Sequence, residues 1–340
     1  MSHPVNLYCT LWELPELDFP HTLLSRRDSQ DPDLYEHLQG FIGFVTHDGS
    51  RPMSTTLYHV IQHIQRVQNH LTLQVEEANL DAMSNWAKRA NALIVLPDAS
   101  VRDPAGLVLV SGQDGACHPD AQMPYPPDAL QRKESTMAIL EERGISVPAE
   151  LPPVVGVGEL ALRDPEELVG RALALLSVAV YAEGLHSGRP VSSAEIRARL
   201  PSADLSPKEA SFLAAQEPTA QQIVDHAWRY EALAVVMWVL GHLPDLGWPS
   251  QGADVPTLAK TIFELGEHGL LARASVRSET EILNALDLNV RLHWAARQAK
   301  REGDTPPADL HTSVLMERQG ALNWIACRND ADWDQVDTQT

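Results

Sequence analysis

The chain has 340 residues and a formal net charge of -20 at pH 7, from 46 acidic and 26 basic residues. Such an acidic excess repels phosphate backbones, so we expect no general nucleic-acid binding, and it would attract a basic protein partner at long range. Cys9, Cys117 and Cys327 are odd in number and widely spaced, which argues against a disulfide scaffold or a zinc ribbon and favours a reducing compartment.

Hydrophobic residues make up 44% of the chain, enough to bury the cores of two ordinary domains. No secretory leader is visible at the N-terminus. The two most apolar stretches, residues 173–182 and 233–240, are shorter than the ~20 residues that a membrane helix needs. We therefore expect a soluble, cytoplasmic protein that does not contact a membrane.

Strand and helix patterns are mixed in the first part of the chain. Alternation of apolar and polar residues indicates half-buried strands, and apolar residues at helical spacing indicate amphipathic helices. Strands are predicted over residues 5–12, 71–76, 92–96 and 107–110, and helices over 54–69 and 80–90. These elements predict a small α/β domain over residues 1–110.

A segment rich in proline and glycine, residues 111–129, has the composition of a linker. Strand patterns nearly vanish after it, so we predict an all-α domain over residues 130–340 and an α+β protein overall. Ser206, Thr219 and Ser278 stand where helix caps belong. Helices are predicted over residues 128–143, 164–184, 192–199, 206–216, 219–243, 255–268, 278–302 and 309–326.

Two short patterns resemble known sites but lack the required context. GVGELA (156–161) has the glycine spacing of a dinucleotide loop, but no strand precedes it, and we interpret it as an ordinary loop. His59 and His63 have a spacing that metal ligands use, but they share their helix face with Arg66 and His70, which favours a solvated polar face. We therefore predict neither a cofactor nor a metal.

Charged residues stand inside the apolar patterns of the later helices. Arg229 and Glu231 lie at the entrance of the run 233–240 and point about 200° apart on a helix, so they cannot pair with one another. A buried charge needs a partner, and Asp225 is one candidate for Arg229. The charged residues at or beside these apolar faces are Arg229, Arg277, Arg291 and Arg318 against Glu231, Asp287 and Glu317.

This near balance of charge has two interpretations. One is an internal ion-pair network that fixes the register of the helices. The other is a pocket in which arginines beside tryptophans hold a carboxylate or phosphate, with His293 or Glu317 as acid or base. Nothing in the spacing selects a nucleophile, so the sequence favours the structural interpretation and leaves the pocket as its alternative.

Several segments carry a family resemblance. They are RKESTMAILEERGI followed by LPP, RALALLSVAV, WRYEALAVVMWVLG, VRSETEIL, LDLNVRLHWAAR, ERQGALNWI and DWDQVDTQT. The stretch 130–340 that contains them resembles the bacterial domain-of-unknown-function family DUF4272. The resemblance implies an α-helical domain without an established activity, so it supplies no catalytic residues. Val276 and Asn289-Val290 depart from the expected leucine and aromatic residue.

The acidic end of the chain, residues 329–340, contains Trp333. One interpretation is that Trp333 docks on the helical domain, because a lone large aromatic residue in a polar segment usually becomes buried. The other is that the aspartates of this segment meet a basic partner. They are Asp330, Asp332, Asp334 and Asp337. Docking is the favoured interpretation.

Three functions remain open, in this order. The first is a non-enzymatic interaction protein that masks a basic partner, as an immunity protein masks a toxin. The second is an enzyme or sensor that binds a small anionic ligand at the arginine–tryptophan cluster. The third is a scaffold that joins other proteins.

Overall fold

The computed structural model describes residues 2–326 and 331–338, and Cys327 and Asp330 lie outside them. The chain forms two compact units, one of Met1–Leu130 with Val155–Leu160 and one of Gln131–Val154 with Ala161–Thr340. An antiparallel sheet occupies the first unit and helices dominate the second, so the protein is α+β.

The first unit contains a six-stranded antiparallel sheet in the order β2-β3-β1-β4-β5-β6. The strands are β1 Ser2–Cys9, β2 Thr22–Asp28, β3 Asn69–Glu76, β4 Ala92–Val95, β5 Val101–Arg102 and β6 Val108–Val110. The helices are α1 Pro32–Thr46, α2 Thr55–Ile64 and α3 Leu80–Arg89. The sequence missed β2, β5 and α1, although Asp31 and Pro32 form an ordinary helix start before α1.

The last three residues of β1 are buried on both faces of the strand, not on one as its alternation suggests. Tyr8 packs in a cluster with residues of α1 and α2, including Phe41 and Val60. Leu7 packs on the opposite face in a cluster that includes Trp86 of α3. Helices on both faces of the sheet explain why Leu7, Tyr8 and Cys9 are all buried.

The prediction that the polar face of α2 is solvated is wrong at His63, which is buried. The helix ends at Ile64, earlier than predicted, and His63 in its last turn is fully buried, with Nε2 3.1 Å from the backbone oxygen of Tyr8. Periodicity could not reveal this because the sheet, not the helix, supplies the partner. Within residues 2–326 and 331–338, no group of three or more His, Cys, Asp or Glu residues could hold a metal ion.

The proline- and glycine-rich segment packs on the first unit. The amide of His118 donates to the Val108 oxygen (2.8 Å), the amide of Gln122 donates to Asp103 (3.0 Å), and Met123 packs against the sheet core. The GVGELA segment is a loop with one 3-10 turn, Val157–Glu159.

The second unit consists of helices. They are α4 Pro127–Glu142 (its first residues belong to the first unit), α5 Pro165–His186, α6 Ser193–Arg199, α7 Pro207–Ala214, α8 Ala220–Ala227, α9 Arg229–Val239, α10 Val255–Ala272, α11 Glu279–Glu302 and α12 Thr312–Ile325. The single long helix expected over 219–243 is therefore wrong, because it breaks at Trp228 into α8 and α9. This break puts Arg229 at the first position of α9. Helix α10 is kinked at Gly266, whose φ is 62°.

Helix α9 lies at the centre of this unit and packs against α5 and α12. Its residues Tyr230–Val239 are all buried. Helix α5 is longer than its apolar stretch suggested and is long and apolar enough to cross a membrane by length and composition. However, 72% of its most apolar window is buried inside the fold, as in the core helices of soluble proteins.

His63 makes the stability of the sheet depend on pH. Burial lowers its pKa from 6.5 to about 3, so below about pH 6.5 the unfolded chain binds a proton that the folded chain does not. Stability falls as the pH falls through this window, by up to about 1.4 kcal/mol per pH unit. We expect His63→Gln, which keeps an N–H donor, to flatten this fall in urea unfolding of the full chain. His118→Gln, at an exposed site, is the control, and parallel curves for wild type and His63→Gln would contradict the assignment.

Candidate functional site

Two crossed ion pairs join the start of α9 to α12. Arg229 Nη1 lies 2.8 Å from Glu317 Oε2, and Arg318 Nε lies 3.7 Å from Glu231 Oε2. Two adjacent residues of α12, Glu317 and Arg318, thus provide the charge partners of Arg229 and Glu231. The partner of Arg229 is Glu317 rather than Asp225, which accepts a hydrogen bond from Gln221 instead.

Burial opposes the charge on these side chains. It raises the pKa of the Glu231 and Glu317 carboxyls and lowers the pKa of the Arg318 guanidinium. The partners act in the opposite direction: Arg229 lowers the pKa of Glu317, and the Ala253 amide, which donates to Glu231 Oε1 over 2.5 Å, lowers that of Glu231. The Glu231 and Glu317 carboxylates therefore depend on these partners to remain charged.

Asp287 and Arg291 form a separate pair within α11, and both side chains are almost fully buried. The guanidinium donates to both carboxylate oxygens over 2.9 and 3.0 Å, and to the Pro152 backbone oxygen over 3.1 Å. Asp287 also accepts from the Val154 amide. This pair therefore ties the LPP segment to α11.

Arg277 belongs to neither arrangement. Its guanidinium donates to the backbone oxygens of Trp238, Leu243 and Pro244 over 2.7–2.9 Å, and it lies over the Trp238 ring. It also pairs with Glu281 at 3.0 Å. Arg277 thus binds one carbonyl in the last turn of α9 and two in the segment after it, the favourable place for a cation at a helix C-terminus. The seven candidate residues thus lie in three separate places: the crossed pairs between α9 and α12, the pair within α11, and Arg277 at the end of α9.

The sequence missed a further pair. Arg171 of α5 and Glu209 of α7 form a short, almost fully buried ion pair, and Glu209 also accepts from the Ser206 amide (2.9 Å). Burial lowers the pKa of Arg171, and Glu209 raises it. A detectable signal existed, because Arg171 is the single charge in the apolar run 168–182, the same signal that marked Arg229 and Glu231.

Trp333 docks on this charged region, as expected. Its ring lies 4.7 Å from the guanidinium carbon of Arg171 and 5.9 Å from that of Arg229, and it meets Trp324 edge-on with a centroid distance of 5.5 Å. Asp334 accepts from the Ser206 hydroxyl (2.7 Å) and the Lys208 amide (2.9 Å) at the start of α7. The segment 331–338 therefore covers the two arginines.

The chemistry of the cluster is that of a compensated network. Each of Arg171, Arg229 and Arg318 has a carboxylate partner, which reduces its attraction for an external anion. His293 is buried, Gln319 Oε1 lies 2.6 Å from its Nδ1, and burial lowers its pKa. Among the described residues, the Nε atoms of Arg171 and Arg229 are buried without a hydrogen-bond partner.

Arg291→Ala tests whether the pair in α11 supports the fold. It leaves the Asp287 carboxylate buried and uncompensated, so we expect a loss of about 3–5 kcal/mol in urea unfolding. The double variant Asp287→Leu/Arg291→Met removes both charges and should recover most of this loss. Glu264→Ala breaks an exposed pair with Lys260 and is the control, with a loss below about 0.5 kcal/mol. Equal stability of Arg291→Ala and wild type would refute the structural role.

No curated protein and no solved structure matches this chain. A family model with the description "Domain of unknown function (DUF4272)" matches residues 132–336. The matched segment includes Trp333 and the pairs Arg171–Glu209, Arg229–Glu317, Arg291–Asp287 and Arg318–Glu231. Because the match covers more than half of the chain, the protein belongs to the DUF4272 family.

Proposed function

We propose that this chain is a non-enzymatic, acidic interaction protein of the bacterial cytoplasm, which masks a basic protein partner as an immunity protein masks a toxin. The observation that carries the proposal is that Arg171, Arg229, Arg291 and Arg318 of the helical unit are each paired with a carboxylate of the same unit. The net charge of -20 therefore resides in other carboxylates. Exposed examples in this unit are Glu141, Glu142, Glu264, Glu267, Glu279, Glu302 and Asp304.

An apolar groove on the helical unit offers a place for such a partner. Its volume is about 330 Å³, and it is lined by His186, Ile223, Val224, Ala227 and Trp228. Val224 is 43% exposed, and the exposed acids Asp225 and Glu183 lie on the two helices that line the groove. An apolar floor beside carboxylates fits a protein surface that presents apolar side chains among lysines and arginines.

Long-range attraction between opposite charges accelerates and selects association, whereas the apolar contact slows dissociation. The acidic surface and the groove therefore have separable effects. Salt should weaken the first, and a charge placed in the groove should weaken the second.

Capture from cell lysate at two salt concentrations tests the proposal. We expect the tagged full chain to retain one basic protein at low salt and to lose most of it at moderate salt. Val224→Arg places a cation in the groove and should reduce capture at least tenfold. Phe263→Arg, at an equally exposed apolar site on α10 (53% exposed), is the matched control. Salt-independent capture, or equal capture by the two variants, would contradict the proposal.

A second candidate is an enzyme or sensor for a small anion at the arginine–tryptophan cluster. The unpartnered Nε atoms of Arg171 and Arg229 beneath Trp333 favour it, because a carboxylate or phosphate could accept from them if the indole moved away. The two candidates differ in what Trp333 does: it is a structural cover in the first and a removable one in the second.

Trp333→Ala separates these candidates. Removal of the indole loses contacts with two guanidinium groups and Trp324, so we expect a stability loss of about 1–2 kcal/mol. Inorganic phosphate is added at about 10 mM, a concentration that detects weak ligands. In thermal unfolding it should shift the Tm of wild type and variant equally. A larger shift in Trp333→Ala that disappears on adding Arg229→Gln would favour the anion-binding function instead.

A further inference from the structure

The sheet of the first unit carries a row of polar side chains that no part of the proposed function uses. Arg27 of β2 stands opposite His70 of β3, and His70 stands opposite Tyr8 of β1. Residues opposite one another in antiparallel strands point to the same face. His37 of α1 completes the group, because its Nε2 lies 3.1 Å from the Tyr8 hydroxyl and its ring lies 4.3 Å from that of His70.

Hydrogen bonds along this row define which ring nitrogen of His70 carries the proton. Arg27 Nη1 donates to His70 Nδ1 over 3.3 Å, so the His70 proton is on Nε2, which donates to Asn6 Oδ1 over 3.1 Å. Asn6 also accepts from the Thr72 hydroxyl (2.8 Å). The imidazoles are neutral at pH 7, because burial lowers the pKa of His37 and lowers that of His70 to about 3. Arg27 is therefore the one charged member of the row.

Arg27 differs in its charge compensation from four arginines of the helical unit. Arg171, Arg229, Arg291 and Arg318 each have a carboxylate partner, whereas no carboxylate in the described residues forms an ion pair with Arg27. Its nearest partner is a neutral imidazole, whose pKa it lowers further. An external anion would supply the missing compensation.

An open cavity of about 350 Å³ lies at the Tyr8 end of the row, lined by Tyr8, His37, Gly40, Phe41, Phe44 and Val95. The aromatic planes along it are nearly parallel. Tyr8 and His37 differ by 3°, Tyr8 and Phe41 by 18°, and Phe41 and Phe44 by 21°. Phe44 remains 45% exposed. Parallel aromatic walls are suited to a flat ring, which stacks in an offset arrangement against them.

We propose that this cavity binds a small aromatic carboxylate, with its ring against Phe41 and Phe44 and its carboxylate at the Tyr8 and His37 end of the row, attracted by the charge of Arg27. Tyr8 and the neutral His37 have one polar proton each and share one hydrogen bond, so one of these two protons remains to orient the carboxylate, and Arg27 supplies the charge. The site is independent of the proposed masking function, because all its residues belong to the first unit.

Benzoate is the probe, and benzamide, its neutral counterpart of the same shape, is the matched ligand. Binding to the full chain is measured by calorimetry or ligand-observed NMR. We expect benzoate to bind at least tenfold more tightly than benzamide. Arg27→Gln should abolish this preference while benzamide binding persists, and Phe44→Ala should weaken both ligands.

Two controls keep the result interpretable. Arg89→Gln removes an arginine of the same unit whose pair with Asp18 is exposed, and it should leave the preference intact. Arg27→Lys keeps the charge and should retain most of the preference, provided that all variants unfold at the wild-type temperature. If Arg27→Gln unfolds early, the comparison of benzoate with benzamide on wild type decides alone. Equal binding of the two ligands, or no binding of either at millimolar concentration, would overturn the proposal.

Discussion

The helical unit depends on the cost of burying an arginine. A guanidinium removed from water without a partner destabilises a fold by several kcal/mol, so each buried arginine requires a carboxylate at a fixed position. At the start of α9, Arg229 needs a carboxylate and Glu231 needs a cation. Helix α12 supplies both partners, Glu317 for Arg229 and Arg318 for Glu231. A rotation of either helix by one residue would separate both pairs. Residues Tyr230–Val239 of α9 are buried on every side, so no single apolar face defines the rotation of this helix, and the crossed pairs supply that definition against α12.

Other features of the unit follow from this constraint. The chain breaks at Trp228, so Arg229 begins a new helix, and Glu231 lies in its first turn, where a negative charge is favourable. The amide of Ala253, before α10, donates to the same Glu231. Trp333 then covers the guanidinium groups of Arg171 and Arg229, which are weakly hydrated and stack on aromatic rings. The segment 331–338 is thus held in part by Arg229, one of the charges that align the central helices.

The helices were largely predictable because their signals are local. Caps such as Ser278 and prolines such as Pro207 act within one turn, and the structure contains the helices that they start. The interaction partners of buried polar side chains were less predictable, because they lie on elements that are distant in the sequence. The charge on Glu231 was visible in the sequence, but its partner Arg318 is fixed only by packing. His63 looked solvent-facing for the same reason, because its partner is a strand oxygen 55 residues away. Edge strand β2, rich in polar residues and exposed, lacked the apolar alternation that would have revealed it.

The compensation of individual arginines bears on where ligands bind. In the helical unit, Arg171, Arg229, Arg291 and Arg318 each have a carboxylate partner and an indole covers two of them, so a small anion would have to displace an internal partner. In the first unit, Arg27 faces neutral imidazoles beside an open aromatic cavity. An anion that enters there displaces only water and gains both charge compensation and stacking. The arginine–tryptophan cluster attracts attention in the sequence because it combines the residue types of an anion site. A charge without an internal partner beside an open cavity is the better criterion for an anion site. By this criterion the site lies on the face of the sheet that carries Arg27 and Tyr8.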